Sequence, residues 1–177
     1  MSSQIKVYLK NAKEALQKKD YELSLEWCQD VLEEDASNYY AHIFIGKNNA
    51  SLNRNTPALE AYLKALAIDE ENLLAWKGMF QIFEAGFFDK NVLTYGHFFQ
   101  LCAKYYEILL SRDEPCVELV NCIRAFRKEH ETDCERDFLE NMIPGQLFAE
   151  TLGRHFMTPE EVLQKLLNIK IKEENSK

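Results

Sequence analysis

The sequence contains little glycine or proline, with 6 Gly and 4 Pro among 177 residues. Sandwiches, barrels and collagen-like chains need many turn residues, so this composition argues against all three. Apolar residues make up 46% of the chain and charged residues 28%, which is enough to form a buried core and unlike a disordered tail. The length predicts one domain, or one stretch of a longer array.

Long apolar runs and blocks of basic residues are also missing. No stretch approaches the roughly 20 apolar residues of a membrane span, and the amphipathic N-terminal stretch does not resemble a signal peptide. Lys and Arg number 21 against 29 Asp and Glu, a net charge of −8, so direct nucleic-acid binding is not expected. Five irregularly spaced cysteines do not form a disulfide framework, which predicts a reducing, intracellular compartment.

The sequence does contain an internal repeat. Between residues 38 and 72, small and aromatic residues follow the pattern of a tetratricopeptide repeat (TPR), at Gly46, Ala58, Tyr62 and Ala65. Glycine and alanine at these positions let two helices approach closely, and the aromatic ring fills the seam between them. Residues 53–57 are predicted to form the turn, with Thr56 as the N-cap of the second helix.

The same frame recurs 34 residues away in both directions. Upstream it falls on Ala12, Ser24, Cys28 and Val31, and downstream Trp76 takes the aromatic position that opens the first helix of a repeat. Residues 1–86 are therefore predicted to form two TPR repeats and the first helix of a third. The predicted fold class is all-α, a right-handed TPR solenoid.

Beyond Gly86 the period is lost, although the helical pattern continues. Helices are predicted at 94–110 and 115–130, with two short ones within 138–156. A last helix has a clear start signal at Thr158, Pro159 and Glu161. Residues 87–177 are therefore predicted to be degenerate helical repeats that pack on the same solenoid.

Catalytic and metal-binding patterns are weak. The residue types of a zinc site occur together only at Cys116, Cys122, His130 and Cys134. On one straight helix Cys122 and His130 would lie about 12 Å apart along the axis, too far to share an ion, so buried structural thiols are the favoured interpretation. Nucleophile elbows and phosphate-binding loops are missing, so neither an enzymatic activity nor a cofactor is predicted.

A binding surface is predicted on the first helices of the repeats, which line the groove of TPR arrays. Lysine recurs there in all three helices of an acidic chain, and an apolar anchor accompanies it. Such a groove would bind an acidic or extended peptide, although lysine is also simply common on exposed helix faces. The candidate partner-binding residues are Lys6, Lys13, Tyr40, Lys47 and Lys77.

The segments 21–32, 38–46 and 72–79, including Leu-Leu-Ala-Trp-Lys-Gly at 73–78, resemble a known family. It is the thespin family, the TPR scaffold subunit of the superkiller (Ski) complex, and the resemblance covers the N-terminal region of that subunit. It implies a non-catalytic scaffold that holds an RNA helicase, a WD-repeat subunit or an exosome-associated adaptor. It also implies a role in cytoplasmic messenger RNA decay from the 3′ end. The expected localisation is cytoplasmic, with the nucleus left open as a further location.

The alternative function is a chaperone adaptor that grips an acidic C-terminal peptide tail. That clamp requires Lys, Asn and Arg at set positions of the first helices. Here the positions hold other residues: Leu9, Lys13, Phe44, Leu74 and Gly78. The clamp is therefore absent, and the scaffold remains the leading prediction.

Overall fold

A computed structural model of the chain describes residues 2–114, 119, 121–123 and 126. Every regular element in this part of the chain is a helix, so the predicted all-α fold class, a TPR solenoid, is confirmed. The chain divides into two compact units, Met1–Val92 and Leu93–Lys177. The helices are α1 (Ser3–Gln17), α2 (Tyr21–Glu34), α3 (Tyr39–Ser51), α4 (Asn55–Ile68), α5 (Leu73–Glu84) and α6 (Tyr95–Ser111).

Polar residues begin most of these helices by satisfying backbone N–H groups that have no partner within the helix. The side chains of Ser2, Asp20, Asn38 and Asn72 accept hydrogen bonds from the first turns of α1, α2, α3 and α5. The prediction of Thr56 as the N-cap of α4 is wrong. Helix α4 begins at Asn55, so its N-cap is Arg54, and no side chain caps it. Thr56 lies inside the helix, where its hydroxyl donates to Asp89 Oδ2 at 2.6 Å.

The turns that join paired helices repeat with the sequence frame. Lys19 and Asn53 stand 34 residues apart and have similar positive φ angles, 63° and 56°. The turn after α5 uses Gly86 at φ 80°, a backbone conformation that glycine adopts without a steric penalty. The repeat is therefore visible in the backbone as well as in the side chains.

The helices of the first unit pack as consecutive antiparallel pairs. Helices α1 and α2 form one pair and α3 and α4 the next, while α3 also contacts α1, α2 and α5. The first helices of successive repeats, α1, α3 and α5, are thus neighbours. Small and aliphatic side chains fill the seams, including the fully buried Ala12, Val31, Ile43, Ala58 and Ala65.

The predicted glycine–tyrosine seam is confirmed. Tyr62 of α4 is 2% exposed, and its ring lies against Gly46 of α3 and Gly78 of α5. A Cβ atom at Gly46 would stand 2.6 Å from Tyr62 Cε1, which is closer than real side chains approach. One aromatic ring therefore fills space that two glycines leave open, and this contact joins three helices.

The second unit contains α6, which confirms the helix predicted at 94–110. Thr94 caps it by accepting from the His97 backbone N–H, and its buried residues include Phe98, Cys102 and Tyr105. Phe126 stacks on Phe98 with ring centroids 3.9 Å apart. The helices predicted at 138–156 and after Thr158 lie outside the described residues, and the predicted domain division at Gly86 stays a prediction.

Candidate partner-binding surface

The three first helices present equivalent positions side by side, because α3 packs between α1 and α5. The 34-residue frame aligns Lys6 of α1 with Tyr40 of α3 and Leu74 of α5. It also aligns Lys13 of α1 with Lys47 of α3. Since equivalent positions of a repeat point in the same direction, a pair of lysines and a partly apolar row run across adjacent helices.

The four predicted lysines are available for a partner. Lys6, Lys13 and Lys77 are exposed and Lys47 is half-buried. None of the four forms an ion pair with another described residue, unlike Lys10, which pairs with Glu14, and Arg54, which pairs with Glu22. Their ammonium groups are hydrated rather than neutralised by neighbours, so an acidic ligand would meet unpaired positive charge.

Tyr39 supports the side chain of Tyr40, the candidate apolar anchor. The Tyr39 hydroxyl donates to the Asn72 carbonyl and accepts from the Ala75 N–H, both at 3.3 Å, which ties the start of α3 to the start of α5. Tyr40 packs edge-on against this ring at 5.5 Å and is 46% exposed. An aromatic side chain that is both exposed and supported loses little freedom on binding.

Two apolar residues of the first helices contribute to packing between helices rather than to an exposed surface. Ile43 is completely buried, and Leu9 packs against the cluster formed by Ile5, Val31 and Ala41. The apolar part of the surface therefore lies at the second position, where Tyr40 and Leu74 are 46% and 40% exposed.

A buried polar network joins the first three helices, and sequence reasoning missed it. The Ser24 hydroxyl donates to the Ala12 carbonyl at 2.8 Å and accepts from Asn48 Nδ2 at 2.7 Å. Both side chains are completely buried. The sequence does contain one indication of this network, because Ser24 is polar where the next repeat has Ala58 at the equivalent position.

His42 takes the place of Trp76 in the preceding repeat. The Trp76 indole N–H donates to the Glu70 carbonyl at 2.7 Å, and His42 Nε2 lies 3.2 Å from the equivalent Ala36 carbonyl. Because a carbonyl only accepts, Nε2 carries the proton and donates. Burial lowers the pKa of His42, opposed by this hydrogen bond, while nearby Lys64 lowers it further. The imidazole thus reproduces the hydrogen bond of the tryptophan.

The described cysteines are buried thiols. Cys28, Cys102 and Cys122 are free, and burial raises the pKa of Cys28 to about 12 and that of Cys102 well above its usual range. Within the described residues, no group of three potential ligands is placed to hold a metal ion. The other members of the zinc pattern, Cys116, His130 and Cys134, lie outside them. The described helices also include none with the length and apolarity of a membrane span.

Comparison with known proteins shows what this chain resembles. It is 42% identical over 176 residues to superkiller protein 3 of Saccharomyces cerevisiae, an alignment that covers 94% of the chain. The chain is homologous to superkiller protein 3. The predicted family resemblance is therefore confirmed, and it extends beyond the first half to which the sequence motifs confined it. No protein-family model matches the chain.

Animal relatives match a shorter stretch of the chain. Superkiller complex protein 3 of Mus musculus is 39% identical over 83 residues, and tetratricopeptide repeat protein 37 of Xenopus laevis is 39% identical over the same length. These alignments each cover 47% of the chain. The chain spans 12% of the length of the yeast relative and 5% of the mouse relative.

Proposed function

We propose that this chain is a non-catalytic scaffold segment that binds an acidic stretch of a partner protein. The partner would lie across α1, α3 and α5, with Lys6, Lys13, Lys47 and Lys77 contacting its carboxylates and Tyr40 anchoring an apolar side chain. The observation that carries the proposal is the lysine row, which we define as Lys6, Lys13, Lys47 and Lys77, four lysines without an ion pair on packed helices. Lys13 and Lys47 align in the repeat frame, and the row lies beside a supported, exposed tyrosine.

The wider role follows the family. The name of the mouse relative places that protein in a superkiller complex. By the same resemblance, the partners of this chain are an RNA helicase, a WD-repeat subunit or an exosome-associated adaptor, in cytoplasmic 3′-to-5′ decay of messenger RNA. The lysines would then contact acidic protein segments and not RNA, in keeping with a net charge of −8.

Charge reversal tests the lysine row. The double variant Lys13→Glu/Lys47→Glu should reduce capture of a helicase or WD-repeat partner from lysate at least about tenfold, because two attractive contacts become repulsive. Its melting temperature should stay within a few degrees, since solvated charges contribute little to folding. Lys18→Glu/Lys64→Glu makes the same change of charge at exposed positions off the row and should leave capture intact.

Two outcomes would count against this function. Equal capture by both double variants would show that the lysine row is not used. Capture of heat-shock chaperones alone, competed by a synthetic Glu-Glu-Val-Asp peptide, would favour the chaperone-adaptor function. Tyr40→Ala supplies an independent readout, because losing an exposed anchor should weaken capture more than it lowers the melting temperature.

A further inference from the structure

A second groove lies on α2, away from the lysine row. It has a volume of about 590 Å³ and is open to solvent along the helix. The residues that line it come from one face of α2 and from one position of α3: Glu22, Leu25, Glu26, Gln29, Leu32, Glu33 and Ile45.

The floor of this groove is apolar and firmly supported. Leu25, Leu32 and Ile45 are each half-buried, so part of every side chain remains accessible to a ligand. Leu32 also packs against the buried cluster of Ile5, Val31 and Ala41, which fixes its position. Leu25 and Leu32 are seven residues apart, about two helical turns or 10 Å along the axis.

The rim of the groove is acidic and only partly neutralised. Glu22, Glu26 and Glu33 are exposed, and they extend over about 16 Å of helix. Glu26 and Glu33 have neither an ion pair nor a hydrogen bond to another described side chain. At one end, the Arg54 guanidinium donates to both carboxylate oxygens of Glu22, at 2.6 and 3.5 Å. The chain itself therefore shows that this rim accepts an arginine.

This groove and the lysine row are separate surfaces. Ile45 and Lys47 are two residues apart on α3, which places their side chains about 200° apart around the helix. The remaining groove residues all belong to α2, which carries none of the four lysines. A ligand of the groove would thus have the opposite charge to a ligand of the row.

We propose that the α2 groove binds a basic amphipathic helix of a partner protein. Apolar side chains two turns apart on that helix would match Leu25 and Leu32, as in other helix-in-groove complexes. Arginines on its flanks would pair with Glu26 and Glu33 as Arg54 pairs with Glu22. The negative charge of the rim would repel an acidic partner. The apolar floor distinguishes this groove from an acidic helix face that is only hydrated.

A synthetic peptide tests the proposal on the full chain. The probe is a labelled helix of about four turns with leucines on one face and arginines beside them, and binding is followed by fluorescence anisotropy. Glu26→Gln/Glu33→Gln should weaken binding roughly three- to tenfold. Glu60→Gln/Glu84→Gln removes the same charge from other exposed helix positions and should leave the affinity unchanged. Neither pair removes a packing contact, so circular dichroism should show intact folding for both.

Three results would overturn the proposal. Equal weakening by the two pairs would show general attraction to an acidic chain. Equal binding of a scrambled peptide, with the same composition but no apolar face, would show that the floor is not used. If sedimentation shows the chain to be a dimer that Glu26→Gln/Glu33→Gln dissociates, the occupant of the groove is a second copy and not a basic helix.

Discussion

The first and second repeats share one frame, but different chemistry fills equivalent positions. In the second repeat the frame places Gly46, Ala58 and Tyr62, and the tyrosine ring occupies the space above the glycine. In the first repeat it places Ala12, Ser24 and Cys28. There the thiol is too small to fill the same space, and hydrogen bonds from Ser24 to the Ala12 carbonyl and from Asn48 to Ser24 join the helices.

The two repeats thus stabilise the same backbone arrangement in two different ways. A ring packed on glycine stabilises by volume, so its contribution depends on how closely the backbone atoms approach. A buried hydrogen-bonded network is directional, because each donor needs its acceptor at a set distance and angle. The second repeat is therefore expected to be sensitive to added volume, and the first to the loss of a single polar atom.

The largest effect is expected from filling the glycine gap. Gly46→Ala should destabilise the chain by about 1–3 kcal/mol, because the new methyl group would overlap the Tyr62 ring. In a Tyr62→Leu background, the same change should become neutral or stabilise by up to about 1 kcal/mol, since alanine is the better helix former. Urea denaturation followed by circular dichroism measures both values.

Gly96→Ala is the matched control for this experiment. Gly96 also lies within a helix, but the nearest atom to an added Cβ is Thr94 Oγ1 at 3.8 Å. The substitution should therefore stabilise the chain slightly. If Gly46→Ala also leaves the free energy of unfolding unchanged or slightly higher, the Tyr62 ring does not restrict the space at Gly46. The proposed difference between the two repeats would then be wrong.

The next effect concerns the polar seam of the first repeat. Ser24→Ala should cost about 1–3 kcal/mol, because it leaves the buried Asn48 amide without its acceptor. Adding Asn48→Leu should recover most of this loss, since both polar partners are then replaced by apolar groups. A double-mutant cycle in the free energy of unfolding measures the coupling. Additive effects would mean that the two side chains do not act as a pair.

Local patterns predicted the helices, the 34-residue frame and the seam of Gly46 and Tyr62. These features depend on spacing along the chain, which a sequence displays directly. The Ser24–Asn48 hydrogen bond joins residues 24 positions apart, and no local period encodes such a pair. The same limit applies to the Thr56 hydroxyl, which donates to Asp89 in a distant loop.

The candidate surface was predictable to a similar extent. The helical period placed Lys13 and Lys47 on equivalent positions. In the structure Lys13 is exposed, Lys47 is half-buried, and neither forms an ion pair with another described residue. It did not show that Ile43 is completely buried. It also did not show that Tyr39 supports Tyr40, because hydrogen bonds to the start of α5 hold Tyr39 in place. The α2 groove escaped notice because its glutamates resemble any solvated helix face until Ile45 of α3 completes the floor.

The smallest effect tests whether His42 and Trp76 are interchangeable in the frame. Because burial lowers the pKa of His42, the unfolded chain takes up its proton more readily than the folded chain. The stability contributed by neutral His42 is present above the ordinary histidine pKa and is lost as the pH falls from about 6.5 toward the folded pKa. His42→Trp should keep a donor to the Ala36 carbonyl and remove this loss. Its free energy of unfolding should therefore fall less steeply between pH 7 and 5 than that of the unmodified chain.

The control for this pH experiment is His97→Gln, which removes an exposed histidine near the start of α6. This variant measures how the pH slope responds when an exposed histidine is removed, for comparison with the removal of buried His42. Parallel slopes for His42→Trp and the unmodified chain would show that His42 is not responsible for the pH dependence. A His42→Trp chain that is much less stable at pH 7 would show that the imidazole fits a site too small for an indole. The second and third repeats would then differ in volume at this position, and the shared hydrogen bond would not make their rings equivalent.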